Sequence, residues 1–225
     1  MRRVKVSNYV IRRLPRYLRW LDDQTLKGVT RVSSDDLGRQ LGLTASQIRQ
    51  DFSCFGEFGR QGYGYNVSEL RRNIAEILGA DLGFSAVLIG VGNIGRALME
   101  YFRFTDWGIT LKAAFDIDPM LVGTRMNGLP VFSMDELGRY LACHSVDIAV
   151  LTVPKDSAVP VSEFLIAHGV SAFWNFTNVE LTEPYSDIIV ENVHFSDSLL
   201  SLSYFIAERQ REAEAKAARL RARGS

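Results

Sequence analysis

Glycines spaced as GxGxxG follow a short apolar run in the middle of the chain. Residues 85–89 have strand length, and the six residues after them are Gly90, Val91, Gly92, Asn93, Ile94 and Gly95. The next residues have helical spacing, so the turn opens a helix whose free N–H groups can hold a phosphate. Gly90 permits the tight turn, Gly92 lets the backbone approach a pyrophosphate, and Gly95 lets the helix lie close to the strand. The stretch predicts a dinucleotide-binding loop.

A carboxylate stands where such a loop needs a ribose ligand. Residues 110–115 (TLKAAF) predict a second strand, and Asp116 follows it, about 20 residues beyond the last glycine. Asp116 would accept from a ribose hydroxyl and repel the 2′-phosphate of NADP, and residues 117–120, beginning with Ile117, offer no arginine to offset that repulsion. The ligand that this predicts is NAD(H). The alternative is that Asp116 only caps a turn before Pro119.

Two later apolar runs, 146–153 and 172–176, predict further strands that alternate with helices. Continuous apolar runs are typical of a parallel sheet covered by helices on both faces. Ligands of doubly wound sheets bind at the carboxyl ends of the strands. The residues at these ends, which we expect near the ligand, are Thr152, Val153, Pro154, Asn175, Phe176 and Thr177.

Positive charge is concentrated in the N-terminal part of the chain. The 225 residues contain 26 Lys and Arg and 26 Asp and Glu, whereas residues 1–65 contain twelve basic and six acidic side chains. A basic segment joined to an acidic remainder suggests an anionic partner such as nucleic acid. A solvated basic face is the alternative.

Two short helices joined by a glycine-containing turn are predicted in this basic part. After a helix over 7–22, in which Pro15 is a local conflict, a serine caps a helix that ends at Leu41, and Thr44 or Ser46 begins the next helix. The second helix of a helix-turn-helix is the usual reader of the major groove. Amides and guanidinium groups present the donors that purine edges accept. The residues expected to contact DNA are Ser46, Gln47, Arg49 and Gln50.

The glycine-rich stretch 56–65 (GEFGRQGYGY) predicts a β-hairpin with Arg60 near its apex and Gln61 beside it. A helix-turn-helix followed by a hairpin is a winged helix, and an arginine of the wing can enter the minor groove. We expect this DNA-binding domain to span 1–80. A helical oligomerisation domain with surface arginines is the alternative. A helix over 67–79, capped by Ser68, is predicted to join it to the next domain.

One long helix is predicted over 195–223, and only its first half is amphipathic. Such a helix often docks on a partner subunit, so we expect a homodimer, with packing on its own sheet as the alternative. The predicted fold class is α/β. It combines the winged helix-turn-helix, a Rossmann-like doubly wound parallel sheet over 81–194 that binds NAD(H), and a dimerisation helix over 195–225.

Several functional classes receive no support from the composition. The chain has no N-terminal apolar h-region and no apolar run that could span a bilayer, so we expect a cytoplasmic protein that uses no membrane. Cys54 and Cys143 lie far apart without metal-ligand spacing, so we expect buried thiols and no metal site.

Seven segments in this order carry a resemblance to a known family. They are RYLRWL (16–21), SSDDLGRQLGLTASQIRQDFSCFGEFGRQGYGY (33–65), LIGVGNIGRAL (88–98), FDIDP (115–119), LTVP (151–154), WNFTNVEL (174–181) and ENVHF (191–195). Over almost its whole length the chain resembles the redox-sensing transcriptional repressor Rex. The resemblance implies a homodimeric repressor whose affinity for DNA depends on the NADH/NAD⁺ ratio and which NADH releases from its operators.

The resemblance also implies roles for individual residues. Loop 90–95 and Asp116 would hold adenosine and pyrophosphate, and the later strand ends would surround the nicotinamide. Phe195 would begin a helix exchanged between subunits and approach the nicotinamide bound to the other subunit. Arg19 and Tyr101 match a ligand-sensitive contact between domains that usually includes an Asp. His194 stands at that Asp position, which adds pH dependence and excludes an ion pair with Arg19.

An NAD-dependent oxidoreductase is the alternative function. It needs a proton donor or acceptor beside the nicotinamide, and the three histidines are His144, His168 and His194. The first two read as surface or capping residues, and the chain after the glycine loop is too short for a separate substrate domain. A CoA-binding relative of the ligase type is disfavoured by Asp116 and by the wing. We therefore predict no catalytic residue and no enzymatic activity.

Overall fold

A computed structural model of the chain describes residues 6–56, 63–181 and 187–223. The chain divides into two compact units. The first comprises residues 1–83 and 105–108, and the second comprises residues 84–104 and 109–225. The chain therefore leaves the second unit after residue 104 and returns to it at residue 109, an excursion that no pattern in the sequence signals.

The first unit is mainly helical. Its elements are α1 (Asn8–Ile11), α2 (Leu14–Leu26), β1 (Arg31–Val32), α3 (Ser34–Leu41), α4 (Ala45–Ser53), β2 (Tyr65–Asn66) and α5 (Val67–Leu78). β1 pairs antiparallel with β2, so that Val32 lies opposite Tyr65 at the base of the predicted wing. The apolar faces of α2, α4 and α5 meet in one core, whose fully buried members include Tyr17, Ile48 and Ile74.

Local signals set the ends of these helices. The helix predicted over 7–22 is divided into α1 and α2, because Pro15 has no N–H and lies in the first turn of α2. Ser33 caps α3 in a capping box, and Gly42 ends it with φ of +68°. The predicted cap of α5 is wrong: the Asn66 side chain accepts from the Glu69 N–H at 2.9 Å, and Ser68 lies inside the helix.

The second unit contains a parallel sheet. Its elements are β3 (Phe84–Ile89), α6 (Asn93–Tyr101), β4 (Ile109–Asp116), β5 (Arg125–Met126), β6 (Leu129–Ser133), α7 (Leu137–Cys143), β7 (Ile148–Leu151), α8 (Lys155–Ala167), β8 (Ala172–Asn175), β9 (Ile189–Asn192) and α9 (Phe195–Arg223). Within the described residues the sheet has seven strands in the order β5-β6-β4-β3-β7-β8-β9, and β5 alone is antiparallel to its neighbour. The direction of strand order reverses between β3 and β7.

This sheet extends further than the sequence predicted. β3 and β7 are buried, as their continuous apolar runs indicate. The hairpin of β5 and β6 was not predicted, because its strands are short and Pro130 interrupts their pattern. Asn127 (φ 49°) and Gly128 (φ 80°) form its turn. β6 pairs with β4 and therefore brings the start of the next helical segment to the carboxyl edge of the sheet.

α9 is one continuous helix over the predicted range. Its first three turns expose large apolar side chains over half or more of their surface: Phe195, Leu199, Leu200, Leu202, Tyr204, Phe205 and Ile206. Its apolar residues are nevertheless interspersed with polar ones. Among the described residues no helix combines the length and hydropathy that crossing a bilayer requires.

Candidate functional site

The glycine loop lies where the strand order reverses. Gly90 has φ of +93°, and a Cβ on it would lie 3.0 Å from the backbone of Thr152. A Cβ on Gly95 would lie 2.2 Å from the carbonyl oxygen of Gly90. By contrast, apart from its chain neighbours, none of the described residues has an atom within 4 Å of the Cβ position on Gly92. Packing within the loop thus requires glycine at 90 and 95, and position 92 leaves open space at the N-terminus of α6.

A cavity of about 690 Å³ opens beside this loop. Its lining consists of Gly90, Gly92, Asn93, Ile94, Phe115, Asp116, Ile117, Met134, Thr152, Val153, Pro154, Ser157 and Val161. Nine of these residues were predicted at the site from the sequence. The other two residues of the loop, Val91 and Gly95, are buried and are outside the lining of the cavity. The cavity is therefore built from the ends of β3, β4 and β7, as expected of a doubly wound sheet.

Four lining residues were missed. Phe115 is the last apolar residue of the strand before Asp116, and Met134 follows the unpredicted strand β6. Ser157 and Val161 lie one turn apart near the start of α8, with Ser157 three residues after Pro154. The helical spacing after LTVP could have signalled these two, because successive turns on one face of a helix meet the same cavity.

Asp116 is held by two backbone amides. Its Oδ2 accepts from the Val91 N–H, and its Oδ1 accepts from the Asp118 N–H at 2.8 Å. The carboxylate thereby ties the end of β4 to the glycine loop. Each oxygen has a second lone pair, so the group can still accept from a ligand hydroxyl.

The residues at the end of β8 have a different position. Asn175 is buried and donates to the Val179 carbonyl at 2.7 Å and to Asn192 at 2.8 Å, while its Oδ1 accepts from the Thr177 N–H and hydroxyl. Phe176 and Thr177 are also buried. These three residues are outside the lining of the cavity, and the Asn175 amide is occupied by bonds that fix the loop after the strand.

His194 has a partner that sequence reasoning missed. Its Nε2 lies 3.0 Å from Glu180 Oε1, and Asn192 donates to the other oxygen of Glu180 at 2.6 Å. Phe195, the next residue, begins α9 with 62% of its surface exposed. Tyr101 is 81% exposed at the end of α6 in the same unit. Arg19 is exposed on α2 in the first unit.

The candidate nucleic-acid interface is on α4. Ile48 and Phe52 are buried in the core, and the predicted contact residues Ser46, Gln47, Arg49 and Gln50 are all exposed. Gln47 also completes a capping box with Thr44 at 3.5 Å. Arg60 and Gln61 lie outside the described residues.

A buried carboxylate holds α4 against α2. Asp51 is 2% exposed, and it accepts from Arg13 Nε and Nη2 and from the Tyr17 hydroxyl, each at 2.6 Å. The hydrogen bonds from Arg13 to Asp51 raise the pKa of Arg13. Burial, together with the bond to Asp51, raises the pKa of Tyr17. The clamp fixes the rotation of α4 and so the direction of its exposed residues.

The described residues contain no group of three or more His, Cys, Asp or Glu that could hold a metal ion. Both cysteines are free thiols. Cys54 is half-buried and Cys143 is exposed, so the expectation of a buried thiol is wrong for Cys143, which ends α7 on the surface.

Comparison with known proteins places both units in one family. A family model described as a putative DNA-binding protein N-terminus matches residues 5–53, and one described as a CoA binding domain matches residues 84–179. A redox-sensing transcriptional repressor Rex of Clostridium botulinum (strain Eklund 17B / Type B) is 50% identical over 199 residues, which are 88% of this chain and 94% of that protein. The chain belongs to the Rex family.

Solved Rex structures have the same architecture. The Rex-family repressor RSP in complex with β-NADH matches with a TM-score of 0.86 at 40% identity, over 94% of this chain and 99% of RSP. RSP in complex with β-NAD⁺ and operator DNA matches with a TM-score of 0.85 at 42% identity, over 95% and 98%. The predicted α/β class, with an N-terminal helical region, a parallel sheet and a long C-terminal helix, is confirmed.

Proposed function

We propose that this Rex-family chain is a transcriptional repressor that binds operator DNA and is released from it by NADH. One observation carries the proposal: the same chain contains a helix, α4, with an exposed polar face and a cavity that is lined by the glycine loop and Asp116. Relatives named as redox-sensing repressors, and a related structure with NAD⁺ and operator DNA, support it.

The cavity suits the adenosine half of NAD(H). The N-terminal amides of α6 and the open backbone at Gly92 would hold the pyrophosphate. Val91, Asn93, Ile94 and Ile117 complete the loop and its rim. Asp116 would accept from the ribose hydroxyl and disfavour the 2′-phosphate of NADP.

The nicotinamide would lie toward the other strand ends. Thr152, Val153 and Pro154 line the cavity directly. Phe176 and Thr177 would form the adjoining wall, with Asn175 as the residue that fixes their loop. An apolar surround favours the uncharged reduced ring over the cationic oxidised ring, because burial of an unpaired charge is costly. This difference in affinity would favour the conformation with the lower affinity for DNA.

On the DNA side, Ser46, Gln47, Arg49 and Gln50 would contact the major groove. Arg60 would enter the minor groove, and Gln61 would also contact DNA. The exposed apolar residues of α9 would dock on a second copy of the chain, so that two winged helices read two half-sites. In that dimer Phe195 would approach the nicotinamide bound to the partner subunit.

Three residues are proposed as the ligand-sensitive contact: Arg19, Tyr101 and His194. In this chain His194 is bound to Glu180, so the contact would depend on whether that pair is kept or exchanged for the Tyr101 hydroxyl.

The proposal assigns regulation, and no catalysis, to the cytoplasmic protein. The Nδ1 of His144 is within hydrogen-bond distance of the Tyr140 carbonyl oxygen, and its ring stacks on that of Tyr140. His168 makes the same two contacts with Phe164. Among the described residues that line the cavity, Asp116 alone has an acidic or basic side chain, and backbone amides already hold it. An oxidoreductase needs a proton donor or acceptor beside the nicotinamide.

A titration in both directions tests the proposal. Operator duplexes would be selected from a random pool and bound to the protein across an NADH/NAD⁺ series. We expect NADH to weaken operator binding, and operator to weaken NADH binding by the same factor, since the coupling of two ligands is reciprocal. Equal NADH affinities with and without operator reject the proposal.

A variant separates the two units' roles. Arg49→Ala should lose most DNA binding and keep its NADH affinity, and Arg72→Ala serves as the matched control because Arg72 is an exposed arginine of the same unit, on α5. If Arg49→Ala binds operator like the wild type, α4 is not the reading helix.

A further inference from the structure

Five aromatic side chains of the second unit form a continuous series of ring contacts, the aromatic ladder: Phe102, Phe104, Trp174, Phe176 and Phe195. Ring centroids are 4.8 Å apart for Phe102 and Phe104, 5.2 Å for Phe102 and Trp174, and 6.1 Å for Phe104 and Trp174. Trp174 lies 4.7 Å from Phe176, and Phe176 lies 6.3 Å from Phe195. These separations are within the range in which aromatic pairs orient one another.

One end of the ladder is at the carboxyl edge of the sheet. Phe176 directly follows β8, and Phe195 begins α9 after His194. Asn175, the neighbour of Phe176, is held by four hydrogen bonds. Since these bonds fix the backbone on either side of Phe176, a displacement of the strand ends would also displace the Phe176 ring.

The other end is where the chain leaves the second unit. Phe104 is the last residue before the excursion 105–108, which belongs to the first unit. Within that unit Trp107 packs against the core, and a Cβ on Gly108 would lie 1.9 Å from the Ala80 carbonyl oxygen. The excursion is thus closely packed against the rest of the first unit, and a peptide bond joins Phe104 to it.

The packing of the ladder suits it for transmission. Phe104 and Phe176 are buried at 6% and 8% exposure, and both belong to a core cluster that also includes Val91 of the glycine loop. Closely packed interiors pass from one discrete arrangement to another instead of deforming gradually. Trp174 is the central ring, with contacts to Phe102, Phe104 and Phe176.

We propose that the aromatic ladder couples the nicotinamide end of the cavity to the excursion 105–108, with Trp174 as its central positioning residue. The proposal rests on the proposed function, because it assigns the route by which NADH binding alters the DNA-binding unit. It predicts that a missing central ring weakens the coupling between the two ligands while each ligand still binds alone.

The test uses the full-length Trp174→Leu variant. NADH fluorescence titrations with and without operator duplex, and operator anisotropy with and without NADH, give the coupling factor in both directions. We expect each separate affinity to stay within about threefold of the wild type, and the coupling factor to fall by about 2- to 30-fold, the range that substitutions within coupling networks produce. Trp174→Phe keeps a ring and should keep most of the coupling.

Matched variants make the result interpretable. Phe164→Leu removes an aromatic ring that stacks on His168 outside the ladder, and it should leave coupling unchanged. Phe102→Leu removes a more exposed ring of the ladder, and it carries the test if Trp174→Leu does not fold. If Trp174→Leu or Phe102→Leu folds and keeps the full coupling factor, the proposed role of the ladder is overturned while the proposed function stands. A wild-type chain without coupling overturns both.

Discussion

At the residue scale, Asp116 joins two parts of the cavity. Its oxygens accept from the amides of Val91 and Asp118, so the same carboxylate fixes the loop and lines the cavity. Such an arrangement is preorganised, because the acceptor need not be ordered when the ribose arrives.

Asp116→Asn should therefore weaken NADH binding by about 10- to 150-fold, the equivalent of one hydrogen bond to a charged group. The amide lacks the charge that disfavours a 2′-phosphate, so the preference for NADH over NADPH should narrow as well. Fluorescence titration of both nucleotides measures this. Asp118→Asn is the control, since that side chain accepts from the Met120 N–H. An unchanged NADH affinity in Asp116→Asn would contradict the assigned role.

The Tyr17 hydroxyl on α2 donates to Asp51, the buried carboxylate of α4. Tyr17→Phe should lower the free energy of unfolding at neutral pH by about 1.5–3 kcal/mol, because it removes a buried hydrogen bond to a carboxylate. The pKa of Tyr17 is raised in the folded state from an ordinary value of 10.0, so its contribution is fully present below about pH 10 and is lost as pH rises further. The stability difference between wild type and variant should shrink above that pH in urea titrations. A difference that grows there would contradict the clamp.

The residues that the sequence predicted and that line the cavity are those fixed by local chemistry. The glycine spacing and the distance to Asp116 are properties of one βαβ unit, so they are legible in the chain. Met134 enters the cavity through the pairing of β6 with β4, and His194 meets Glu180 across 14 residues. Such contacts depend on tertiary juxtaposition, which hydropathy and spacing do not encode.

At the element scale, the glycines of the β3–α6 turn have separable roles. A methyl on Gly95 would collide with the Gly90 carbonyl, whereas one on Gly92 would meet no atom within 4 Å in the described part of the chain beyond its immediate neighbours. Gly95→Ala should destabilise the second unit by about 1–3 kcal/mol, as overpacking does. The free energy of unfolding of Gly92→Ala should be within about 1 kcal/mol of the wild-type value.

For NADH affinity, we expect the larger loss in Gly92→Ala instead of in Gly95→Ala. Gly92→Ala should weaken NADH by about tenfold or more, because the methyl group occupies the space where a phosphate would meet backbone amides. Urea denaturation and NADH titration of the pair measure both quantities. Equal stability losses in the two variants would contradict the separation.

Element boundaries were predictable where a cap or breaker sets them. Gly42 and Gly79 end α3 and α5 at positive φ, as their positions after apolar periodic segments indicate. The cap of α5 was misassigned, because Asn66 and Ser68 are both good caps and the pairing of β1 with β2 selects the first.

At the scale of the whole molecule, α9 should determine the oligomeric state. Phe205 is 67% exposed on its apolar face. Phe205→Glu should give a monomer in sedimentation velocity, since a charge in an apolar interface is costly. Operator affinity should then fall by about 100-fold or more, because two linked half-sites bind together. Arg209→Glu, a charge reversal in the polar part of α9, is the control. A dimeric Phe205→Glu would place the interface elsewhere.

The excursion 105–108 also limits how this architecture can evolve. A segment of residues 1–83 exchanged by a single recombination event would leave Trp107 behind in the recipient, opposite a core shaped for a different neighbour. The resulting cavity or clash would cost stability in most such chimaeras. If α4 reads the operator as proposed, new operator specificity should arise by substitution on its exposed face, and less readily by the acquisition of a foreign DNA-binding module.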